Sequence, residues 1–276
     1  MYKVLSKDMI KTEIIPHLPV GKRGFVSRAP LCEIINSILY KLKTGTQWHL
    51  LPVESLFSNT VLHYKTVFGY YRRWCKSGLW KHCWCKILDK HHANLDLSSS
   101  DLDGSHTRTL RGGEEVGHHT RKRQKSTNAL YLTDRQGLPL AMSFPVAGNH
   151  NDLYQIEAQL DEIFDTLKEA KIPIDGLFLN ADKGFDTKTY RKWCEQRGIF
   201  ANTPYNKRRG EKDHYNLVDE LLYKERYAIE RTNAWMDSFR SILNRFDTTL
   251  TSWIGFNYLA FIVLGLKKFY KKKKSR

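Results

Sequence analysis

The sequence predicts an α/β chain in which a helical N-terminal segment leads into a mixed sheet with covering helices. Two observations carry that expectation. Apolar residues recur at helical spacing through residues 31–75, and beyond residue 100 the texture changes to strand-like runs bounded by turn residues and alternating with further helical patterns. The polar stretch HHANLDLSSS (91–100) lies at the change and sets the expected domains at 1–95 and 96–276.

In the first of these domains Leu31, Ile34, Ile35, Ile38, Leu39 and Leu42 share one helical face, with Pro30 ahead and Gly45 just past the end, the usual punctuation of a helix. After TQWHLLP, a second pattern puts Val61, Tyr64, Phe68, Tyr71 and Cys75 on one side and Lys65, Arg72, Arg73 and Lys76 elsewhere. Two helices joined by a link containing Gly and Pro, the second one basic, read as a small all-α, helix-turn-helix-like domain; a bundle that only packs on the rest is the alternative.

SDLDGS opens the sheet, and NALYLTD (128–134) and LPLAMSFPVAG (138–148) continue it about the turn RQG. Leu153, Ile156, Leu160, Ile163, Phe164 and Leu167 define a helix, after which GLFLNAD and IFANTP add strands. A loop holding NKRRGEKDHYN leads into one long expected helix from Val218 to Phe246. Trp235, Met236, Phe239, Ile242, Leu243 and Phe246 would form its buried stripe, within about 120° of one another at 3.6 residues per turn.

The 276 residues, 41% hydrophobic, suffice to bury one large or two ordinary cores. A net charge of +16 points to a polyanionic partner, nucleic acid first, because the positive charge clusters in HTRKRQK (119–125), YNKRRGEK (205–212) and KKFYKKKKSR (267–276). Five cysteines are an odd number for a disulfide framework and imply a reducing compartment. Cys75, His82, Cys83, Cys85, His91 and His92 lack the paired spacing of a zinc site. Charged residues interrupt any signal-peptide core near the N-terminus. The most apolar run, FNYLAFIVLGL (256–266), is short for a membrane span and reads as a buried terminal helix.

In LNADKGFDTKTY (179–190) an apolar run stops on Asp182 and turns through Gly184, which puts a carboxylate at a sheet edge, where metal and phosphate chemistry is often done. An aspartate there also serves simply to cap the next helix. Asp101 and Asp103, two residues apart on the opening strand, point to one face. On the C-terminal helix Tyr223, Arg226, Glu230 and Asp237 fall within about 60° of one another, opposite the apolar stripe.

DLDGSHT (101–107), LNADKGF (179–185) and YKERYAIERTNAWMDSFR (223–240) resemble three motifs of the DDE transposases of bacterial insertion sequences, the IS-five group and its IS-four-like relatives. That family sets a first aspartate in D-G-S/T, a second in A-D-K/R-G, and a glutamate in a helix reading Y-x2-R-x3-E. Asp103, Asp182 and Glu230 match these places, and so do Tyr223 and Arg226. LKTGTQWHLLP (42–52), a helix, and GLW (78–80) resemble the family's leading domain, so the likeness covers nearly the whole chain. It departs at Asp237, where relatives often carry a lysine, leaving Arg240 or Arg231 to supply that charge. Only 48 residues separate Asp182 from Glu230, too few for the large β-rich insertion of some relatives.

The resemblance implies an RNase H-like mixed-sheet catalytic core in which Asp103, Asp182 and Glu230 are the catalytic residues and ligands of Mg²⁺ or Mn²⁺, two ions in all, with Asp103 bridging them and Asp101 its rival. It further implies metal-dependent cleavage and strand transfer of double-stranded DNA, with terminal inverted repeats and target DNA as partners and a homodimer assembled on the DNA. Such a protein works in the bacterial cytoplasm and needs no membrane. The expected DNA contacts are Tyr223, Arg226, Arg121, Lys122, Arg123, Lys125, Lys65, Arg72, Arg73 and Arg240. An RNase H-like nuclease without strand transfer and an inactive DNA-binding relic are the alternative readings.

Overall fold

In the computed structural model, which describes residues 3–19, 27–206 and 218–274, the strands are β1 (Ser100–Thr109), β2 (Gly117–His119), β3 (Gln124–Asp134), β4 (Pro139–Met142), β5 (Val146–Ala147), β6 (Phe178–Ala181), β7 (Phe200–Asn202) and β8 (Asn244–Arg245). β1 lies at the centre. β3 runs antiparallel on one side, with Asp103 opposite Tyr131, and β6 runs parallel on the other, with Leu102 opposite Ala181. β2, β4 and β5 pair antiparallel with β3, β7 continues parallel beyond β6, and β8 joins the far end of β1 at Thr109–Arg245. β3 is buried at nearly every position because it is paired on both edges and covered on both faces, which is why its sequence reads as a continuous apolar run rather than an alternation.

The helices are α1 (Leu31–Thr44), α2 (Tyr64–Lys76), α3 (Leu79–His91), α4 (Ile156–Glu169), α5 (Lys188–Glu195), α6 (Glu220–Lys224), α7 (Tyr227–Asp237), α8 (Arg240–Leu243) and α9 (Leu250–Lys274), with shorter turns between them. α1 begins after Pro30 and ends on Gly45, whose φ of 69° is the left-handed conformation a C-terminal cap requires. α2 starts only at Tyr64, because the His63 side chain accepts from the Lys65 N–H and caps it there. Val61 therefore precedes the helix and is exposed, and the inward stripe is Val67, Tyr71, Trp74 and Cys75. A 3-10 turn (Trp48–Leu50) and a short helix (Val53–Leu56) separate α1 from α2. The tight helical pair is instead α2 and α3, joined through Ser77 and Gly78.

The long C-terminal helix expected over Val218–Phe246 is broken into α6, α7 and α8. Arg135 grips Glu225 with both its Nε and Nη2 atoms, fixing the first break against the turn that follows β3. In that turn Gly137 has a φ of 76°, and a Cβ there would lie 2.6 Å from the Ala228 carbonyl oxygen, so glycine lets α7 seat directly on the turn. Thr232 Oγ1 donates to the Gly137 carbonyl from the same side. Phe239, in extended conformation, makes the second break and redirects the chain toward β8. The α7 face that is buried is thus Ala228, Ile229, Thr232 and Met236; Trp235 and Leu243 are half-buried, and Phe246 is exposed. Of the basic loop before α6, residues 207–217 lie outside the described residues.

One apolar cluster runs from Val4 to Phe269 without a division at residue 95. α9 is the reason. It packs on α1, α2, α3 and β4, and Tyr131 of β3 donates to Asn257 Oδ1 at 2.8 Å while Trp84 of α3 donates to the Leu140 carbonyl at 2.8 Å. By length and composition the stretch Leu250–Lys271 could cross a membrane, but 72% of its most apolar window is buried inside this core. All five cysteines are free and buried among apolar neighbours.

Candidate functional site

Asp103 sits on β1 at the level where β6 ends. The last paired residues of these parallel strands are Leu102 and Ala181, so Asp182, the next residue of the β6 segment, leaves the sheet beside Asp103. Asp103 Oδ1 accepts from the Gly104 N–H at 2.9 Å, and its Oδ2 faces Arg226 Nη1 at 4.0 Å. Asp182 does cap the following 3-10 turn, accepting from the Gly184 N–H through Oδ1; that contact leaves Oδ2 uncommitted to the cap. Glu230 stands exposed in the first turn of α7 and adds negative charge at Asp103.

Burial pushes the Asp103 carboxyl up to about 6; the nearby Arg226 guanidinium and the Gly104 N–H oppose the rise, and the negative charges of Asp152 and Glu230 add to it. Like charges held together in partial burial are costly unless a cation joins them. The hard oxygen donors present are those a Mg²⁺- or Mn²⁺-type ion takes. Among the described residues no three such groups are already drawn in to ligation distance. Asp101, on the same strand face, is in a different position. It is buried, its Oδ1 accepts from Asn180 Nδ2 at 2.8 Å, and burial lifts it to about 6. With its carboxylate enclosed between β1 and β6, Asp101 is a poorer first ligand than the half-exposed Asp103.

Arg226 turns toward Asp103 rather than toward Glu230, with its guanidinium 5.8 Å from the Tyr223 ring centroid. Tyr223 belongs to α6 and Glu230 to α7, so their shared side is set by the break at 225–226 and not by the winding of one helix. Arg121, Lys122, Arg123 and Lys125 are exposed on the hairpin between β2 and β3. Lys122 lies within electrostatic reach of both Asp152 and Asp237. Lys65, Arg72 and Arg73 are exposed on α2, with Arg72 over Phe68 and Arg73 over Tyr70, and do not join the carboxylates. Arg240 also stands apart, packed by Gly45 at the end of α1. Arg231 lies over the rings of Tyr227 and Trp235.

Sequence reasoning missed Asp152. It lies in GNHND (148–152), turn-forming residues between β5 and α4 that carry no sign of chemistry in themselves. Only the fold brings it against β1.

Three antiparallel strands followed by two parallel ones, ordered about a central β1, with acidic residues on β1 and just past the neighbouring parallel strand, define an α/β protein of the RNase H-like class. The chain belongs to the transposase DDE domain family, whose profile matches residues 95–261. A second profile, described as "Putative transposase of IS4/5 family", matches residues 12–84. Among curated proteins, the "Putative transposase for insertion sequence element IS402" of Burkholderia cepacia is 32% identical over 125 residues, 42% of this chain and 51% of that protein. An "Insertion element IS402 uncharacterized 16.2 kDa protein" of the same species is 29% identical over 124 residues, 42% of this chain and 82% of that protein. The match thus spans about half the length of the first relative. The solved "Mos1 transposase paired-end complex with left transposon end" aligns over 89% of this chain and 81% of that chain at 12% identity, with a TM-score of 0.30, too loose an overlay to carry weight.

Proposed function

We propose that this protein is the transposase of a bacterial insertion sequence, binding terminal inverted repeats and catalysing metal-dependent cleavage and strand transfer of DNA. The observation that supports the reading is that Asp103 on β1 stands level with the end of the parallel strand β6, where Asp182 follows, with Arg226 and Glu230 of the α7 segment acting on Asp103. Asp103, Asp182 and Glu230 are the residues to hold the divalent cation, Mg²⁺ or Mn²⁺ and two ions in the full complement. When bound, the metal activates the attacking oxygen and stabilises the leaving oxygen of an in-line phosphoryl displacement.

The rest falls to the chain's own side chains. Arg226 directs its N–H groups at a scissile phosphate beside Asp103, and Tyr223 adds a hydroxyl contact. Lys122 and the hairpin residues Arg121, Arg123 and Lys125 hold backbone phosphates on the other side of the site. α2, with Lys65, Arg72 and Arg73, takes the flanking duplex, and Arg240 extends that track. A homodimer assembled on DNA would bring two ends together. The test is cleavage of a duplex carrying the element's terminal repeat in Mg²⁺ or Mn²⁺. Asp103→Ala, Asp182→Ala and Glu230→Ala should each abolish cutting while leaving duplex binding largely intact. Near-normal cutting by any one of them removes that residue from the site.

A further inference from the structure

We infer that Asn180 and Asn202 are positioning residues of the same site: with Asp101 they form a row of buried side chains that holds the segment 219–226, and with it Tyr223 and Arg226, over the face of the sheet that carries Asp103. The inference rests on the reading of Arg226 as a DNA contact given above and deepens it.

The strand register makes the row. Asp101 of β1 pairs with Asn180 of β6, and Asn180 pairs with Asn202 of β7, so the three side chains stand side by side on one face. Asp103 lies two residues farther along β1 and therefore on that same face. The three side chains of the row are buried and linked. Asn180 Nδ2 donates to Asp101 Oδ1 at 2.8 Å, and Asn202 Nδ2 donates to Asn180 Oδ1 at 2.7 Å.

The remaining bonds of both amides leave the sheet and go to one short piece of main chain. Asn202 grips Asp219 twice, with Nδ2 donating to the Asp219 carbonyl at 3.1 Å and Oδ1 accepting from the Asp219 N–H at 2.8 Å. Asn180 Nδ2 donates to the Leu222 carbonyl at 3.3 Å. Asp219 in turn accepts at Oδ1 from the N–H groups of Leu221 and Leu222, both at 3.0 Å, and so starts α6. Tyr223 follows in α6, and its carbonyl accepts from the Arg226 N–H at 3.1 Å. Both hydrogens and the oxygen of each amide are thereby used. Packing alone would be served by apolar side chains at these positions, since an amide is costly to bury. What the bonds add is a fixed place for the main chain that leads to Arg226, and a displacement of about 1 Å at such a group is enough to cost about a hundredfold in rate.

The test uses the full chain. Asn202→Ala removes the amide, and Asn202→Asp keeps its volume and its acceptor while removing both donated bonds. Hydrogen exchange without DNA should find the amides of residues 221–226 exchanging faster in both variants, with those of β3 unchanged. With a duplex carrying the terminal repeat and Mn²⁺, single-turnover cleavage at saturating duplex should slow about tenfold or more in either variant, whereas adding Asn202→Ala to Arg226→Ala should slow it less than about twofold further. A merely structural asparagine would not produce that non-additivity. Equal slowing in the presence and absence of Arg226, or parent-like exchange over residues 221–226, would overturn the inference and leave the transposase reading standing. A parent that cuts nothing in Mn²⁺ would bring down that reading, and the exchange result alone would then decide whether the row holds the segment.

Discussion

Arg226 Nη1 lies 4.0 Å from Asp103 Oδ2, so the residue that opens α7 is an electrostatic partner of the acid on the central strand. Neither side chain is fully covered, and at this distance the two are electrostatic neighbours rather than hydrogen-bond partners. The guanidinium works against the burial that raises Asp103.

Removing Arg226 should therefore have two effects. Arg226→Ala should slow cleavage about tenfold to a hundredfold with metal binding retained. It should also raise the Asp103 pKa above its present value of about 6, moving the rising limb of the pH–rate profile to higher pH. Asp237→Ala should be near neutral, since Asp237 sits about 10 Å farther along the helix from Glu230 by helix rise. An Asp237→Ala protein as inactive as Glu230→Ala would show that this face of α7 has been misread.

Asp101 and Asp103 should separate cleanly by stability and activity. Asp101 is raised by burial, so its ionised form penalises the native state by about 3 kcal/mol above pH 6, and the penalty disappears as pH falls toward 4. Asp101→Asn should raise Tm by several degrees at pH 8, have little effect near pH 4, and retain cleavage. Melting curves across that range check the first claim. Loss of cutting with an intact fold would make Asp101 the first ligand instead.

The exposed cations of α2 should act on affinity alone. Replacing Lys65, Arg72 and Arg73 together by alanine should weaken duplex binding and reduce the slope of log affinity against log salt by about 2.7, without altering metal titrations. An unchanged slope would place the DNA elsewhere.

A fragment ending at Leu95 should not fold by itself, because Tyr71, Trp80 and Trp84 bury their rings against or beside α9. Circular dichroism should find partial helix without a cooperative melt. A sharp two-state transition would restore an independent N-terminal reader.

Much of this architecture was legible in the sequence because it depends on local pattern. The helix between Pro30 and Gly45, the strands around RQG and the strand ending at Asp182 all follow from periodicity and turn residues. The breaks at 225–226 and 239 were not legible, since apolar spacing continues through them; the first is fixed by Arg135 and Gly137, ninety residues away in the chain, and the second by the extended backbone of Phe239. Asp152 escaped for the same reason: only the fold lays this turn aspartate on Gly104. The motif residues Asp103, Asp182 and Glu230 stood out through family likeness, yet which way Arg226 faces required the tertiary structure.

The placement of α9 also sets an order in time. The helices α1 to α3 leave the ribosome with their apolar faces complete but without the helix that covers them, and at ordinary translation speeds that cover arrives on the order of 10–30 s later. During that interval the nascent chain carries a basic surface that is not yet held in shape. Synthesis broken off before Leu250 would then yield a product unable to close its first half, so that the surface bearing Lys65, Arg72 and Arg73 takes its final shape only as translation nears Phe269.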